Sequence, residues 1–291
     1  MKKILSLFLL CFSFLFVSAQ TKRAIVIGIG AYPAESGWGK IHGDNDVPLI
    51  ASILGSKGFA AKNIQCLINE NATKKGIISS FNLLIKQAQL KDVIYIHFST
   101  HGQQITDLDG DEDDGLDEAI IPFDARKDYV KGVYEGKNHL IDDELNIYLE
   151  KIRKQIGKDG SLLVVIDACH SGDATRGDRS DNDSLVIRGT NDIFKLEGSK
   201  STHIQMRREL EWVVFSASQS YQNNYEYKIN SDFFGSLSYA VKLALNESSG
   251  WMNFTELFQS IEKKRADMNV ARYPQRPMID GTDFYQKQIA F

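Results

Sequence analysis

At 291 residues, with 43% apolar and 25% charged side chains, the chain has the composition of an ordinary soluble globular protein, long enough for one large or two small domains. A formal charge of -4 leaves no basic footprint and argues against nucleic acid as a partner. Three cysteines, Cys11, Cys66 and Cys169, make no disulfide framework, and no internal repeat or low-complexity tract is present.

Residues 1–19 have the layout of a secretory signal peptide: Lys2 and Lys3, an apolar run over 4–17, then Val17-Ser18-Ala19 before Gln20. The run is shorter than the roughly 20 residues that span a bilayer. Cys11 follows Leu10, not a small residue, which argues against a lipid-anchored start. Cleavage leaves 32 basic residues against 38 acidic ones. The expectation is a chain exported to periplasm or medium, with no membrane attachment after cleavage. Export permits disulfides, but a bridge between Cys66 and Cys169 would consume the nucleophile argued for below. Cys66, in an apolar strand over 64–68, is therefore expected to be buried and inert.

Residues 24–29 read as the first strand; the Gly28-Ile29-Gly30 that follows lacks the third Gly and the helix of a nucleotide loop. A helix is expected from about Asp46, with Pro48 in its first turn, Leu49, Ile50, Ile53 and Leu54 as its apolar stripe, and Gly58 closing it. A second helix over 73–90 carries Ile77, Phe81, Leu84, Ile85 and Ala88 at helical spacing. Strands alternate with helices up to Cys169, which predicts right-handed crossovers and a mostly parallel sheet.

Two stretches share one layout. Residues 92–102 read Asp-Val-Ile-Tyr-Ile-His-Phe-Ser-Thr-His-Gly, and 162–172 read Leu-Leu-Val-Val-Ile-Asp-Ala-Cys-His-Ser-Gly. Each is a run buried on both faces that stops at small residues suited to a turn. Ligands bind at the carboxyl edge of such sheets. If the two strands are neighbours, His101 and Cys169 meet there as base and nucleophile. The bland alternative is a buried structural Cys. His170 and His97 are alternative bases, but adjacent residues on a turn seldom face each other, and a mid-strand His points at packing.

Between these strands, residues 107–118 carry eight acidic side chains in twelve. Asp107, Asp109, Asp111 and Glu118 fit positions 1, 3, 5 and 12 of a calcium loop, but Glu112 replaces the required Gly and no flanking helix is expected, so an EF-hand is rejected. Hard-cation binding remains an expectation from charge density, with a solvated acidic hairpin as the alternative. Residues 173–208 break the rhythm and read as a long polar loop. Residues 212–217 are expected as a strand, 233–245 and 254–264 as helices, 272–277 as a Pro-punctuated loop, and 283–289 as a last edge strand.

The His-Gly and Asp-x-Cys-His-Ser-Gly blocks resemble the motifs of caspase-like cysteine peptidases, specifically the metacaspase branch. Residues 24–30 are similar to that family's first strand, Asp44-Asn45-Asp46 to its Asn-Asp motif, 109–124 to its acidic segment, 140–144 to its Asp-Asp turn, and 212–226 to the opening of its small subunit. The match runs in family order from about 23 to about 285. It implies an α/β, caspase-like fold: a mostly parallel six-stranded sheet flanked by helices on both faces. It also implies a large-subunit-like lobe over 20–172, a linker over 173–210 where processing can occur, and a small-subunit-like lobe over 211–291. Arg176, Arg179, Arg188 and Lys195 are the candidate cleavage sites in that linker.

The resemblance implies a cysteine endopeptidase acting on peptides or proteins. A free thiol has a pKa of about 8.5, so Cys169 needs His101 as base and later as acid to the leaving amine. Backbone N–H groups of Gly102 and Cys169 would hold the oxyanion. Asp46, Asp167 and Ser99 match positions lining the specificity pocket, and an acidic pocket selects Arg or Lys; bland roles for the two acids are a helix cap at Asp46 and a strand-end turn at Asp167. Calcium activation would act through Asp117, Asp142, Asp143 and Asp173, with no organic cofactor and a monomeric chain. The chain departs from the pattern at Thr100, Ala168 and Gly43, where Gly, Ser and Cys are usual. Alternatives are a gingipain- or clostripain-like peptidase, an inactive caspase-like binding module, and a cell-surface calcium-binding protein.

Overall fold

The computed structural model describes residues 20–110, 112, 114–169, 186–197, 211–219, 222–248, 250–268, 275–281 and 288–290. The predicted signal segment, His170, Asp173, Arg176 and Arg179 lie outside them. Among the described residues no helix is long and apolar enough to cross a membrane. The chain runs β1 (Lys22–Gly28), α1 (Gly43–Ser56), β2 (Ile64–Ile68), α2 (Lys74–Gln87), β3 (Val93–Ser99), β4 (Gly102–Thr106), β5 (Leu116–Ile120), β6 (Leu140–Ile141), α3 (Asp142–Ile156) and β7 (Ser161–Asp167). It continues as β8 (Val213–Ser216), β9 (Glu226–Ile229), β10 (Asp232–Gly235), α4 (Ser236–Glu247), β11 (Trp251–Asn253), α5 (Phe254–Asp267), β12 (Met278–Asp280) and β13 (Gln288–Ala290).

Six strands form one sheet in the order β12-β8-β7-β3-β1-β2, all parallel except β12. Alternation along the strands explains the two layers, because successive side chains point to opposite faces. Ala24, Val26, Tyr95, Leu163 and Val165 pack with α1, α4 and α5, while Ile25, Ile27, Ile94, Ile96, Leu162 and Val164 pack with α2 and α3. This is the sheet, with helices on both faces, that the sequence predicts.

Several expectations change. The first helix starts at Gly43, so Asp46 lies inside its first turn and is no cap. Cys66 is exposed, on β2 at the edge of the sheet. The helix expected from 233 begins at Ser236; Asp232–Gly235 instead pairs with Glu226–Ile229 as a hairpin whose turn puts Asn230 at φ 56°. Met278–Asp280, between the expected loop and the expected last strand, pairs with β8 at the edge of the main sheet; most of 283–289 lies outside the described residues, and β13 at 288–290 pairs with β11. A small antiparallel sheet, β4-β5-β6, was not expected; it carries the acidic loop between β4 and β5.

Candidate active site

Strands β3 and β7 are direct neighbours in parallel register, with Ser99 opposite Asp167. The chain therefore leaves both strands level, and His101 and Cys169 follow two residues later on the same edge. His101 is buried; its ring stacks on Trp38 at 4.8 Å and lies 5.3 Å from Tyr32. The Nε2 atom lies 2.9 Å from the Gly39 carbonyl, which only an N–H can satisfy. That bond assigns the proton to Nε2 and leaves Nδ1, which has no hydrogen-bond partner, as a lone pair. Burial lowers the imidazole pKa to about 4, helped by the positive charges of Arg188 and Lys127 and opposed by the Gly39 bond. The ring is thus neutral near pH 7 and able to accept a proton. Cys169 is buried, and its thiol donates to the Gln222 carbonyl at 3.1 Å. His97, the alternative base, faces the core between Tyr95 and Ser238.

The acidic side chains at this edge surround one guanidinium, that of Arg188. It is fully buried: its NH2 lies 2.8 Å from Asp46 Oδ2, and its Nε and NH2 donate to Glu226 Oε1 at 3.1 and 3.0 Å. Its NH1 donates to Ser99 Oγ and lies 3.8 Å from Asp167 Oδ2. Each acid is held from behind. Asp46 accepts from Ser99 Oγ and the Gly235 N–H; Asp167 accepts from Ser238 N and Oγ at 2.7 and 2.6 Å and from Asn224 Nδ2 at 2.7 Å. Glu226 accepts from the His42 backbone N–H at 2.6 Å, and its Oε2 lies 2.5 Å from His42 Nδ1.

Three carboxylates about one cation share an excess of negative charge, and the group divides it unequally. Burial pushes Asp46 up to about 6 against the pull of Arg188, with Asp167 adding to the rise. For Asp167 burial acts upward too, but Arg188 and the bonds from Ser238 and Asn224 outweigh it and hold the carboxyl below its usual range. Arg188 stays fully charged, its neighbours overcoming the cost of burial.

The backbone of residues 186–188 is bound as firmly as the side chain. Arg188 N donates to the Asn224 carbonyl at 3.0 Å, Glu226 N donates to the Val186 carbonyl at 2.9 Å, and Ile187 bridges Tyr225 in antiparallel fashion. The Arg188 carbonyl accepts from the Cys169 N–H at 2.8 Å. Gly189 then lies against Cys169 so closely that a methyl group on its α-carbon would overlap the Cys169 backbone. The arrangement presents a carbonyl carbon, flanked by an N–H donor, beside a buried thiol. Gly102, the other expected oxyanion donor, opens β4 opposite Ile120.

The sequence reading missed Glu226, Gly39, Trp38 and the seat of Arg188. Glu226 lay at the end of a matched block, and Arg188 was named only as one of four basic linker residues. Their positions depend on the β9–β10 hairpin and on a segment with no hydrophobic period, neither of which leaves a local signal.

Of the four expected cation ligands, Asp117 groups with Asp107 and Asp109, and Asp142 groups with Glu112 and Glu118, carboxylate oxygens in each trio lying within 4.8 Å of one another. Asp143 follows Asp142 in the first turn of α3. Burial raises Asp117 and Asp142 to about 8, with neighbouring carboxylates adding to both shifts. Asp107 Oδ2, Asp109 Oδ1 and Asp142 Oδ1 are buried without hydrogen-bond partners. Crowded, unsatisfied oxygen donors of this kind fit a hard divalent cation.

Fold and family together make the chain a caspase-like cysteine-type endopeptidase. The profile of the metacaspase, peptidase C14 domain matches residues 22–176, more than half of the chain, and the chain belongs to that family. Metacaspase-1A of Aspergillus niger is 26% identical over 89% of this chain and 69% of its own length; Metacaspase-1 of Coccidioides immitis is 26% identical over 89% and 61%. Metacaspase-1A of Aspergillus fumigatus is 27% identical over 89% and 68%. The crystal structure of protein GSU0716 from Geobacter sulfurreducens shares the fold, with a TM-score of 0.60 at 20% identity over 92% of this chain and 97% of its own.

Proposed function

We propose that this metacaspase is an exported, calcium-activated endopeptidase that cuts after Arg, and less well after Lys, with Cys169 and His101 as its dyad. We further propose that its first substrate is its own Arg188–Gly189 bond. The observation that carries both readings is the pose of Arg188, whose guanidinium fills the acidic pocket while its carbonyl rests on the Cys169 N–H.

Nδ1 of His101 takes the thiol proton, and the thiolate attacks the carbonyl carbon of Arg188, whose oxygen accepts from the Cys169 N–H. Charge builds on the carbonyl oxygen, where the Cys169 N–H, and by family resemblance that of Gly102, receives it. The His101 proton passes to the leaving amine, that of Gly189 in the first cycle. A thioester to Cys169 remains, and water activated by the same imidazole releases the new carboxylate. Asp117, Asp142, Asp143 and their acidic neighbours would hold calcium, which neutralises the carboxylate cluster on the hairpin that follows His101. The signal-like residues 1–19 support export.

Cleavage of fluorogenic peptides by the mature chain from Gln20, with Arg, Lys or Asp before the scissile bond and with calcium or chelator, tests the reading against a Cys169→Ala control. Calcium-dependent turnover of Arg above Lys, with none for Asp and none in the control, is expected. Activity indifferent to chelator would favour a gingipain-like peptidase. Calcium binding by a folded chain with no turnover of any peptide would favour a binding module.

A further inference from the structure

The own-chain occupant of the site does not end at Gly189. Residues 190–197 continue along β4, whose outer edge is free in the β4-β5-β6 sheet. Phe194 N donates to the Gln104 carbonyl at 2.8 Å, Thr106 N donates to the Phe194 carbonyl at 3.1 Å, and the pairing with Ile105 is parallel. Leu196 N adds a bond to Thr106 Oγ1 at 3.1 Å. A stretch of polar linker is thus bridged to the free edge of β4.

The stretch is pinned by one side chain. Phe194 is 1% exposed, and its ring lies 4.4 Å from His139, 5.9 Å from Tyr134 and 6.0 Å from Tyr129. Gly136, at φ +87°, leaves the ring its space: a β-carbon there would come within 2.9 Å of it. The cage is fixed by polar bonds behind it. Tyr134 OH bonds His139 Nδ1 at 2.9 Å, His139 Nε2 bonds Gln103 Oε1 at 3.0 Å, and Gln103 Nε2 donates to the Asp192 carbonyl at 2.9 Å. Lys127 adds an ion pair to the Asp192 side chain at 2.7 Å.

Resting on the peptidase reading above, we infer that the β4 edge and its aromatic cage form a second recognition site on the leaving-group side, for an aromatic residue six positions beyond the cleaved bond. Main-chain pairing to an exposed sheet edge supplies register, and a pocket for one side chain supplies choice, the usual division in strand addition. A single buried aromatic anchor carries much of the binding energy in such contacts. The linker segment is the site's first occupant, and its Phe194 presents Arg188 to the thiol.

The test uses a full mature chain carrying Phe194→Ala, in which the cage has lost its own occupant, and two peptides with the sequence of residues 186–197, one with Phe at the 194 position and one with Ala. A short Arg peptide ending at its leaving group reports that the same enzyme is active. The inference predicts kcat/KM at least about tenfold higher for the Phe peptide, carried mainly by KM. It predicts a smaller ratio for the wild-type chain, whose tethered Phe194 competes. Equal turnover of the two peptides by an enzyme that cuts the short peptide overturns the second site while leaving the peptidase intact. Failure of the wild-type and Phe194→Ala chains alike to cut any of the three peptides, with calcium present, sinks the peptidase reading and the second site with it.

Discussion

Arginine and lysine carry the same charge, but only arginine has an Nε–H to donate along the side of its stem. Glu226 Oε1 accepts from both Nε and NH2 of Arg188, and it is the one pocket acid that does so. Glu226→Gln is therefore expected to cut kcat/KM on Arg substrates by about 30-fold or more, from the roughly 2 kcal/mol or more lost when one partner of a buried charged bond is replaced. Lys substrates, which never use that bond, lose less. The measured quantity is the Arg-to-Lys ratio of kcat/KM, which falls in the variant; an equal loss for both residues would show that Glu226 only holds the pocket together. Asp46 and Asp167, which lie at the Arg188 guanidinium, could be named as candidates because each stands in a block that resembles a family motif, beside a strand or helix with a clear hydrophobic period. Glu226 was not, since its place at the pocket is set by the hairpin and by the His42 bonds to its carboxylate.

Among the elements, β3, β7 and α4 are joined by a buried polar chain. The Tyr95 hydroxyl bonds His97 Nδ1 at 2.9 Å, His97 Nε2 bonds Ser238 Oγ at 2.9 Å, and Ser238 donates to Asp167 at 2.6 Å. Burial, with Arg188 adding to it, lowers His97 to about 4 against the pull of Asp167. The sign follows from proton counting. Between about pH 6.5 and pH 4 the unfolded chain protonates this imidazole and the folded chain does not, so His97 costs stability as pH falls through that window and nothing above it. Comparing wild type with His97→Gln in denaturant unfolding isolates the group. The stability of wild type relative to the variant is expected to be level above pH 7 and to drop, by on the order of 3 kcal/mol, as pH falls to 4. A difference that stays level to pH 4.5 would mean that the imidazole charges in the folded protein. Strands β3 and β7 were legible because a parallel strand buried on both faces is a continuous apolar run. The start of α4 was misplaced because Phe233 and Phe234 extend its apolar stripe backwards into a hairpin strand.

Across the whole molecule, one segment of linker closes the site. Residues 186–188 pair with 224–226, Arg188 bridges acids from α1, β7 and β9, and residues 190–197 lie along β4. No hydrophobic period marks this stretch, because its energy comes from one buried cation, one buried aromatic ring and main-chain pairing supplied by distant strands. The sequence could therefore rank Arg188 only as one basic residue among several. On the proposed reading the site in this form is held by its own first substrate, and the most direct measurement is the intact mass and new N-terminus of the mature chain incubated with calcium. Cleavage beginning a fragment at Gly189, absent from Cys169→Ala and from Arg188→Ala, is the predicted result. A chain that turns over Arg peptides while its 188–189 bond stays whole, or that is cut only after Arg176, Arg179 or Lys195, would contradict the account.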